Sequence, residues 1–211
     1  MSKALKTILV VIIILLFDQT LKIWVKTHMY LGESIPVMGN WFSIRYIENP
    51  GMAFGLDIPG KFGKLALTLF RLVAIGGIIW YLRQLIQKNA KIFLLISVSM
   101  ILAGAIGNIL DSLFYGLIFD KGTIYDPQFG RWVGYAGIAQ ANFQGYTAPL
   151  KGCVVDMLYF PLIEGRFPAW FPIRGGENFV FFRPIFNIAD SAISVGVAFI
   201  LIFQRRLFQG L

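Results

Sequence analysis

The chain has 211 residues, of which 57% are hydrophobic and 14% are charged, with a formal net charge of +8 and a mean hydropathy of +0.69. This composition argues against an ordinary soluble globular domain, and the single cysteine excludes an internal disulfide. The basic residues form no run that selects nucleic acid, so no nucleic-acid partner is expected. One histidine without a His-Glu-x-x-His motif predicts no metal site and no cofactor.

Four stretches of mostly apolar residues have the length of about 20 residues that a transmembrane helix needs. They cover about residues 5–25, 65–85, 92–114 and 184–203. Four buried helices of a soluble protein are the alternative, but the run Ile8–Leu16 is apolar on every face. The first stretch has the basic start and apolar centre of a signal peptide. Because no small-x-small cleavage site follows it, we expect a retained span.

Basic residues flank these spans at three places. They lie before the first span, between the second and the third, and after the fourth: Lys3 and Lys6; Arg83, Lys88 and Lys91; Arg205 and Arg206. Because Lys and Arg favour cytoplasmic loops, all three places are predicted to be cytoplasmic, and so are both termini.

Two segments then lie on the outer side of the membrane. In residues 28–64, the stretch Trp41–Ile47 alternates as a strand between turn signals. Residues 116–183 are rich in Gly, Pro and aromatic residues and are expected to form a loop. The predicted fold class is a membrane α-helical protein of one domain, residues 1–211. It is a four-transmembrane-helix bundle with a small extracytoplasmic β-rich segment between spans 1 and 2 and a long extracytoplasmic loop between spans 3 and 4.

Polar residues inside the spans follow helical spacing. Asp18 and Lys22 are four residues apart, so they share a face and can pair. One face of the third span carries Gly104, Asn108 and Asp111, and one face of the fourth span carries Asn187, Asp190 and Ser191. One interpretation is that these residues only hold helices together. Ionisable groups at membrane depth are costly, however, which also makes them candidates for function.

Asp156 and Asp190 stand out among only 11 acidic residues. If their carboxylates met at one site, one would keep its proton near neutral pH while the other stayed ionised. Such a pair supplies the general acid and general base of aspartyl peptide hydrolysis. A helix beginning at Pro184 would put Asp190 about 9 Å below the outer end of the span. Cys153 lies close to Asp156 in sequence, and we expect it to be a small packed hydrophobe.

A small transporter or proton-coupled carrier is the main alternative, since intramembrane Asp and Lys residues suit that function as well. Against it, the charged groups gather near one face of the bundle, and no internal repeat is evident. A third alternative is a non-enzymatic assembly factor whose outer segments bind a partner.

Five short motifs occur in a fixed order along the chain: Asp-Gln-x-x-Lys at 18–22, Asn-x-Gly-x-Ala-Phe at 49–54, Gly-Asn-x-x-Asp at 107–111, Val-Val-Asp at 154–156 and Phe-Asn-x-Ala-Asp-Ser at 186–191. Each motif alone is a weak signal. Together, on four spans, they make the chain resemble the lipoprotein signal peptidase (signal peptidase II) family over nearly its whole length.

This resemblance implies an aspartyl endopeptidase of the bacterial inner membrane with its active site near the outer face. It would remove the signal peptide from diacylglyceryl-modified prolipoproteins by cleaving before the lipidated Cys. The implied partners are this lipidated prolipoprotein and membrane lipids, with no cofactor, and we expect a monomer. By motif match, the catalytic residues would be Asp156 and Asp190. Those that bind substrate or support the site would be Asp18, Lys22, Asn49, Gly51, Asn108, Asp111, Asn187 and Ala189.

The chain departs from the family at two places. Ser112 stands where the family usually has Arg, so any charge contact of that Arg must be absent or come from elsewhere, with Arg166, Arg174 and Arg183 as candidates. Residues 116–151 are also longer than the family's usual connection. We call these residues the insertion, and expect them to form no further span and to pack at the membrane surface beside the site.

Overall fold

The computed structural model describes residues 1–51, 60–161, 163–166, 168–170, 176–181 and 184–207. Within this part, four helices are long and apolar enough to cross a membrane, which confirms the four expected spans. They are α1 (Lys3–His28), α2 (Gly60–Gln87), α3 (Ile92–Leu110) and α5 (Ile188–Leu207). A π-helical turn, Asp111–Tyr115, and the short helix α4 (Gly116–Ile118) continue α3.

The strands all belong to the segments between the helices. They are β1 (Ser34–Met38), β2 (Phe42–Asn49), β3 (Ile124–Asp126), β4 (Arg131–Val133), β5 (Val154–Tyr159), β6 (Ile163–Arg166), β7 (Asn178–Phe181) and β8 (Ile185–Phe186). The segment between the third and fourth spans, expected as a loop, therefore carries six short strands among its described residues. These strands span two to six residues each, which is too short for a clear alternating pattern.

One antiparallel sheet joins the two segments in the order β1-β2-β5-β8. Ile47 of β2 pairs with Asp156 of β5, and Leu158 of β5 pairs with Phe186 of β8. Two separate hairpins, β3-β4 and β6-β7, complete the described strands. The sheet therefore sets β5 beside the residues that lead directly into α5.

Helix α3 lies at the centre of the bundle and packs against α1, α2 and α5. Small residues allow the close approach of α3 and α5: a Cβ on Gly104 would lie 2.2 Å from the carbonyl oxygen of Ala189, and one on Gly196 would lie 2.7 Å from that of Ser97. Such contacts are the usual means of helix association in lipid. The helices expose large apolar side chains outward, as a bilayer requires: Phe17, Val73, Phe93 and Ile202.

A second hydrophobic cluster lies between the sheet and the ends of α1 and α3. It contains Val25, Met29, Tyr46, Tyr115, Val155 and Met157. The insertion takes part in it, because Phe119 and Ala139 are buried there and Tyr135 and Tyr146 pack against it. The insertion is thus an integral part of the fold.

The fourth helix begins at Ile188, four residues after the expected start at Pro184. Ile185 and Phe186 pair with β5 instead of forming a first helical turn. Asp190 is therefore the third residue of α5, and the expected depth of about 9 Å becomes about 3 Å of rise from the start of the helix. The backbone pairing of these two residues with β5 keeps them extended, although proline is favoured in the first turn of a helix.

Candidate active site

The sheet and α5 bring the two candidate aspartates together. Asp156 lies on β5, two residues before Leu158, whose partner Phe186 ends β8. The chain turns at Asn187 directly into α5, where Asp190 stands in the first turn. Asn187 contacts both carboxylates: its Nδ2 donates to Asp156 Oδ1 at 2.7 Å, and its backbone N–H donates to Asp190 Oδ2 at 3.3 Å.

Asp156 is almost fully enclosed, with 3% of its surface exposed. Besides the amide of Asn187, its carboxyl accepts a hydrogen bond from Asn49 Nδ2 at 3.1 Å. Burial, and then the nearby charge of Asp190, raise the pKa of Asp156 to about 7, although the amides of Asn49 and Asn187 favour its charged form. Desolvation is thus the dominant cause, with like-charge repulsion second. Asp156 can therefore hold or release a proton near neutral pH.

Asp190 and Asn187 form a capping box at the start of α5. Asn187 Oδ1 accepts from the backbone N–H of Asp190 at 2.8 Å, and Asp190 returns the bond to the N–H of Asn187. This reciprocal pattern satisfies two backbone donors that a helix N-terminus leaves open. Asn108 Nδ2 also donates to Asp190 Oδ1 at 2.7 Å. The hydrogen bonds that cap α5 therefore also position the Asp190 carboxyl in the candidate site.

Asn108 on α3 links this site to a buried ion cluster. Its Oδ1 accepts from Lys22 Nζ and from Asn187 Nδ2, both at 3.0 Å. Because Lys22 and the Asn187 amide occupy the oxygen, the Nδ2 of Asn108 is left to face Asp190. Asn108 thus fixes the orientation of one carboxyl of the pair.

Asp18, Lys22 and Asp111 form a fully buried ion cluster. The ammonium of Lys22 lies 3.0 Å from Asp18 Oδ2 and 2.9 Å from Asp111 Oδ2. Gln19 Nε2 donates to both carboxylates. Buried charges need such complete partners, because desolvation costs several kcal/mol per ion. The expected pairing of Asp18 with Lys22 is present, and Asp111 joins it from α3.

The cluster also anchors the two elements that carry the aspartate pair. Asp18 Oδ1 accepts from the backbone N–H of Ala189 at 2.9 Å, and Asp111 Oδ2 accepts from that of Val155 at 3.1 Å. Ala189 is fully buried, and its Cβ would lie 3.0 Å from a Cβ on Gly107. The size of Ala189 therefore lets α3 approach the first turn of α5.

Asn49 and Gly51 form a tight turn after β2. The backbone N–H of Gly51 donates to Asn49 Oδ1 at 2.8 Å, and Asn49 Nδ2 donates to Asp156 Oδ2. Gly51 has a φ of +106°, and a Cβ there would lie 2.5 Å from Leu67. Both facts require glycine. The motif residues that follow, Ala53 and Phe54, lie outside the described residues.

Helix α2 supplies two cations that the sequence analysis missed. Lys64 Nζ donates to Ser112 Oγ at 3.1 Å, so an ammonium reaches the position where the family usually has Arg. Arg71 lies within electrostatic range of Asp190, Asp156 and Asp111, and its Nη1 is buried with no hydrogen-bond partner in the described part of the chain. Both residues are charged positions within an otherwise apolar helix, and this is the feature of the sequence that could have identified them.

Of the arginines expected to replace the family Arg, Arg166 is exposed and donates to the carbonyl of Gly176, while Arg174 and Arg183 lie outside the described residues.

A second buried ion pair was also missed. Lys26 pairs with Glu48, and the Glu48 carboxylate accepts from the Tyr46 hydroxyl at 2.7 Å and from the backbone N–H of Thr123. The Tyr135 hydroxyl joins Tyr46 at 2.7 Å. This network ties α1, β2 and the insertion together. Nothing in the sequence spacing of these residues indicates that they meet.

Cys153 is buried, with its Sγ 3.4 Å from the carbonyl oxygen of Thr123. Burial raises the pKa of its thiol to about 12, so it stays protonated and is no nucleophile. Within the described residues, no cluster of three or more His, Cys, Asp or Glu side chains could hold a metal ion. The arrangement can instead hold and move protons between two carboxyl groups.

Comparisons with known proteins agree with this chemistry. Residues 10–206 match the family described as signal peptidase (SPase) II. A lipoprotein signal peptidase of Porphyromonas gingivalis is 47% identical over 199 residues, covering 93% of this chain and 81% of the relative. One of Amoebophilus asiaticus is 37% identical over 206 residues, covering 95% and 78%. A bacterial membrane enzyme solved by the in meso method at 2.3 Å resolution shares the fold, with a TM-score of 0.59 at 24% identity over 95% of this chain and 88% of that one.

Proposed function

The chain belongs to the signal peptidase II family and is an aspartic peptidase that cleaves the signal peptides of lipoproteins, and on this premise we propose that Asp156 and Asp190 are its catalytic pair. The transporter alternative is not supported. The observation that carries the assignment is the contact of Asn187 with both carboxyl groups. It is supported by the pKa of Asp156, raised to about 7 by burial and by Asp190.

In the proposed mechanism, Asp156 holds the shared proton and Asp190 is the ionised base. Asp190 takes a proton from a water between the pair, and the hydroxide attacks the scissile carbonyl carbon. Asp156 donates its proton to the developing oxyanion, which gives a tetrahedral geminal diol. As the C–N bond breaks, Asp190 gives its proton to the leaving nitrogen and Asp156 recovers one from the diol. Both carboxyls end in their starting states.

The test is replacement of each aspartate by its isosteric amide. Asp156→Asn and Asp190→Asn should each lower cleavage of a lipidated precursor by at least about 10²–10⁴-fold, since each removes an acid or a base. Both variants should still insert and fold. Asp126→Asn, at the end of β3 where Asp126 pairs with Arg131, is the matched control and should keep full activity. Near-normal turnover by either variant of the pair would refute the assignment.

The proposed substrate is a diacylglyceryl-modified prolipoprotein, cleaved just before its lipidated Cys. The exposed apolar faces of the helices allow a lipid-bearing substrate to approach from the bilayer. A precursor that differs only in lacking the diacylglyceryl group should be cleaved far more slowly. Equal rates on the two precursors would show that the lipid is not recognised.

We further propose a monomer that forms one domain in the bacterial inner membrane, with both termini cytoplasmic and the site near the outer face. The basic flanks support this topology, because Lys3 donates to the backbone of Asn89 and Ala90, and Lys91 donates to that of Arg206. These charges thus meet at one end of the bundle. The aspartate pair and the sheet belong to the opposite end, which is the outer end in this topology.

The other site residues support the pair in this proposal. Asn187, Asn108 and Asn49 orient the two carboxyls through their amides. The ion cluster of Asp18, Lys22 and Asp111 holds the starts of α5 and β5 through backbone donors. The small residue Ala189 allows the close approach of α3 and α5, and Gly51 allows the chain to pass close to Leu67.

The insertion is proposed to position the lipidated substrate beside the site. Its packing on the second hydrophobic cluster and its backbone bond to Glu48 support an ordered platform. Replacing residues 121–148 by a short Gly-Ser linker should raise KM while leaving some turnover. Unchanged kinetics would show the insertion to be passive, and complete loss of turnover in a folded variant would show that catalysis itself depends on it.

A further inference from the structure

A cavity of about 220 Å³, with aromatic and basic residues in its lining, lies between the insertion and the start of α2. Two lysines line it, Lys64 from α2 and Lys151 from the end of the insertion, with Thr123 and Tyr146 beside them. Tyr125 and Trp132, which face each other across the β3-β4 hairpin in an edge-to-face contact, complete its aromatic wall. The proposed peptidase mechanism uses none of these insertion residues.

The two lysines of this cavity form no direct salt bridge among the described residues, although Asp111 and Asp156 lie within electrostatic range of Lys64. Lys64 is 3% exposed and donates to the neutral hydroxyl of Ser112. Among the residues that the structure describes, neither Lys64 nor Lys151 forms an ion pair with a carboxylate. An enclosed ammonium without a counter-charge in direct contact is unfavourable. The cavity therefore has the electrostatics of an anion site.

Hydroxyl donors accompany the lysines. Thr123 is 6% exposed, and its Oγ1 has no hydrogen-bond partner among the described residues. The Tyr146 hydroxyl is likewise buried without a partner in this part of the chain, although the backbone N–H of Cys153 is directed toward its oxygen. Buried unsatisfied polar groups are rare in native proteins and call for a ligand or water. Both hydroxyls can donate to an anionic oxygen.

The backbone around this cavity is fixed in advance of any ligand. The N–H of Thr123 is bound to Glu48 of the buried Lys26 pair. Gly122 lies against the ring of Tyr146, where a Cβ would come within 2.0 Å of the ring. Rigid placement of donors lowers the cost of binding.

Its position favours a lipid anion. Lys64 stands one turn inside α2, at the end of the bundle that carries the sheet, and Trp132 and Tyr125 are residue types that prefer the membrane–water boundary. Basic pockets between transmembrane helices bind lipid head groups on the cytoplasmic side, and lysine and hydroxyl donors offer the same chemistry to a phosphate at the outer end. We propose that the cavity binds the phosphate of an anionic phospholipid headgroup, held by Lys64, Lys151 and the Thr123 hydroxyl. This cavity shares Lys64 with the surroundings of the catalytic pair, contains neither Asp156 nor Asp190 in its lining, and its assignment rests on the proposed topology.

The test measures lipid retention by the purified full chain after delipidation in detergent, using native mass spectrometry. Phosphatidylglycerol should bind more tightly than phosphatidylcholine with the same acyl chains. Lys151→Gln should weaken phosphatidylglycerol binding by about fivefold or more, the effect of one interfacial lysine. Lys121→Gln is the matched control, because Lys121 lies in the same insertion but does not line the cavity, and it should bind as the wild type does.

Thr123→Val separates a ligand role from a structural one. It removes a hydroxyl that has no described partner, so the melting temperature without lipid should not fall. Binding of phosphatidylglycerol should nevertheless weaken by several fold. A normal lipid affinity in both Thr123→Val and Lys151→Gln would overturn the proposal.

Two further arms identify the source of the anion. Inorganic phosphate alone should not displace phosphatidylglycerol, and complete displacement would reassign the cavity to free phosphate. Cleavage of two precursors, with acidic or neutral residues after the Cys, tests the substrate as the source. A loss by Lys151→Gln confined to the acidic precursor, with lipid binding unchanged, would reassign the cavity to the substrate and overturn the lipid site.

Discussion

Asn187 is the residue at which local helix capping and the aspartate pair can be separated. Its side chain caps α5 through the N–H of Asp190, and its amide donates to Asp156 Oδ1 at 2.7 Å. Serine is a good N-cap but is too short to reach β5. Alanine can do neither. Asn187→Ser therefore removes the contact with Asp156 and keeps the cap, whereas Asn187→Ala removes both.

The magnitude follows from these contacts. A hydrogen bond to a charged group contributes about 1.5–3 kcal/mol, and about 1.4 kcal/mol is tenfold in rate. Both variants should therefore lose roughly 10- to 150-fold in kcat/KM. Asn187→Ala should in addition lose about 1 kcal/mol of stability through the missing cap. Asn108 keeps a partner in both variants, because its Oδ1 still accepts from Lys22.

The pH profile gives the sharper readout. The Asn187 amide favours the charged form of Asp156 and so lowers its pKa, which burial raises to about 7. Removing the amide raises this pKa further. Because Asp156 must be protonated to act as the acid, the alkaline fall of kcat/KM should move to higher pH in Asn187→Ser.

The assay is the rate of cleavage of a lipidated precursor across the neutral pH range, with thermal unfolding in detergent as the measure of stability. Asn187→Ser with wild-type kcat/KM and an unmoved alkaline limb would refute the role of Asn187. A rise in KM alone would mean that Asn187 contacts substrate and does not position the pair.

Three other changes test the support of the site. Lys22→Met should lower the free energy of unfolding by about 3–5 kcal/mol, because it leaves Asp18 and Asp111 buried without a cation; a loss in thermal or denaturant unfolding close to that of surface variants would contradict this. Gly104→Val should destabilise the bundle and impair cleavage, because even a Cβ would lie 2.2 Å from the Ala189 carbonyl, so a fully stable variant would contradict this packing. A cysteine introduced by Lys88→Cys should not react with a membrane-impermeant thiol reagent in intact cells, with low background from the buried Cys153; labelling from outside would overturn the topology.

The sequence identified the parts of the structure that follow from composition and local spacing. Uninterrupted apolar runs predicted the four spans, since a bilayer leaves few other solutions. The spacing of Asp18 and Lys22 predicted their pairing, because both sit on one helix. The motifs around Asp156 and Asp190 indicated a pair of carboxyls, and whether they are catalytic stays a prediction.

Long-range partners could not be derived in the same way. The bond from Lys64 to Ser112, and the pair of Lys26 with Glu48, depend on how helices and strands meet in space. The start of α5 was misplaced for a related reason, because Pro184 looks like a helix start until the pairing of Ile185 with β5 is known. Non-local contacts of this kind leave no periodic signal in the chain.

The buried ion cluster has a consequence for how this protein enters its membrane. Helix α1 carries both Asp18 and Lys22, so these two charges are already matched within one helix when it enters the bilayer. Asp111, by contrast, has no basic residue one helical turn away in either direction along the chain, and its cation is Lys22 of α1. A carboxylate without a partner resists insertion into lipid, and Asp111 lies directly after the last residue of α3. The first span therefore supplies the counter-ion of the third, so the charge of Asp111 is matched only when both helices are in place.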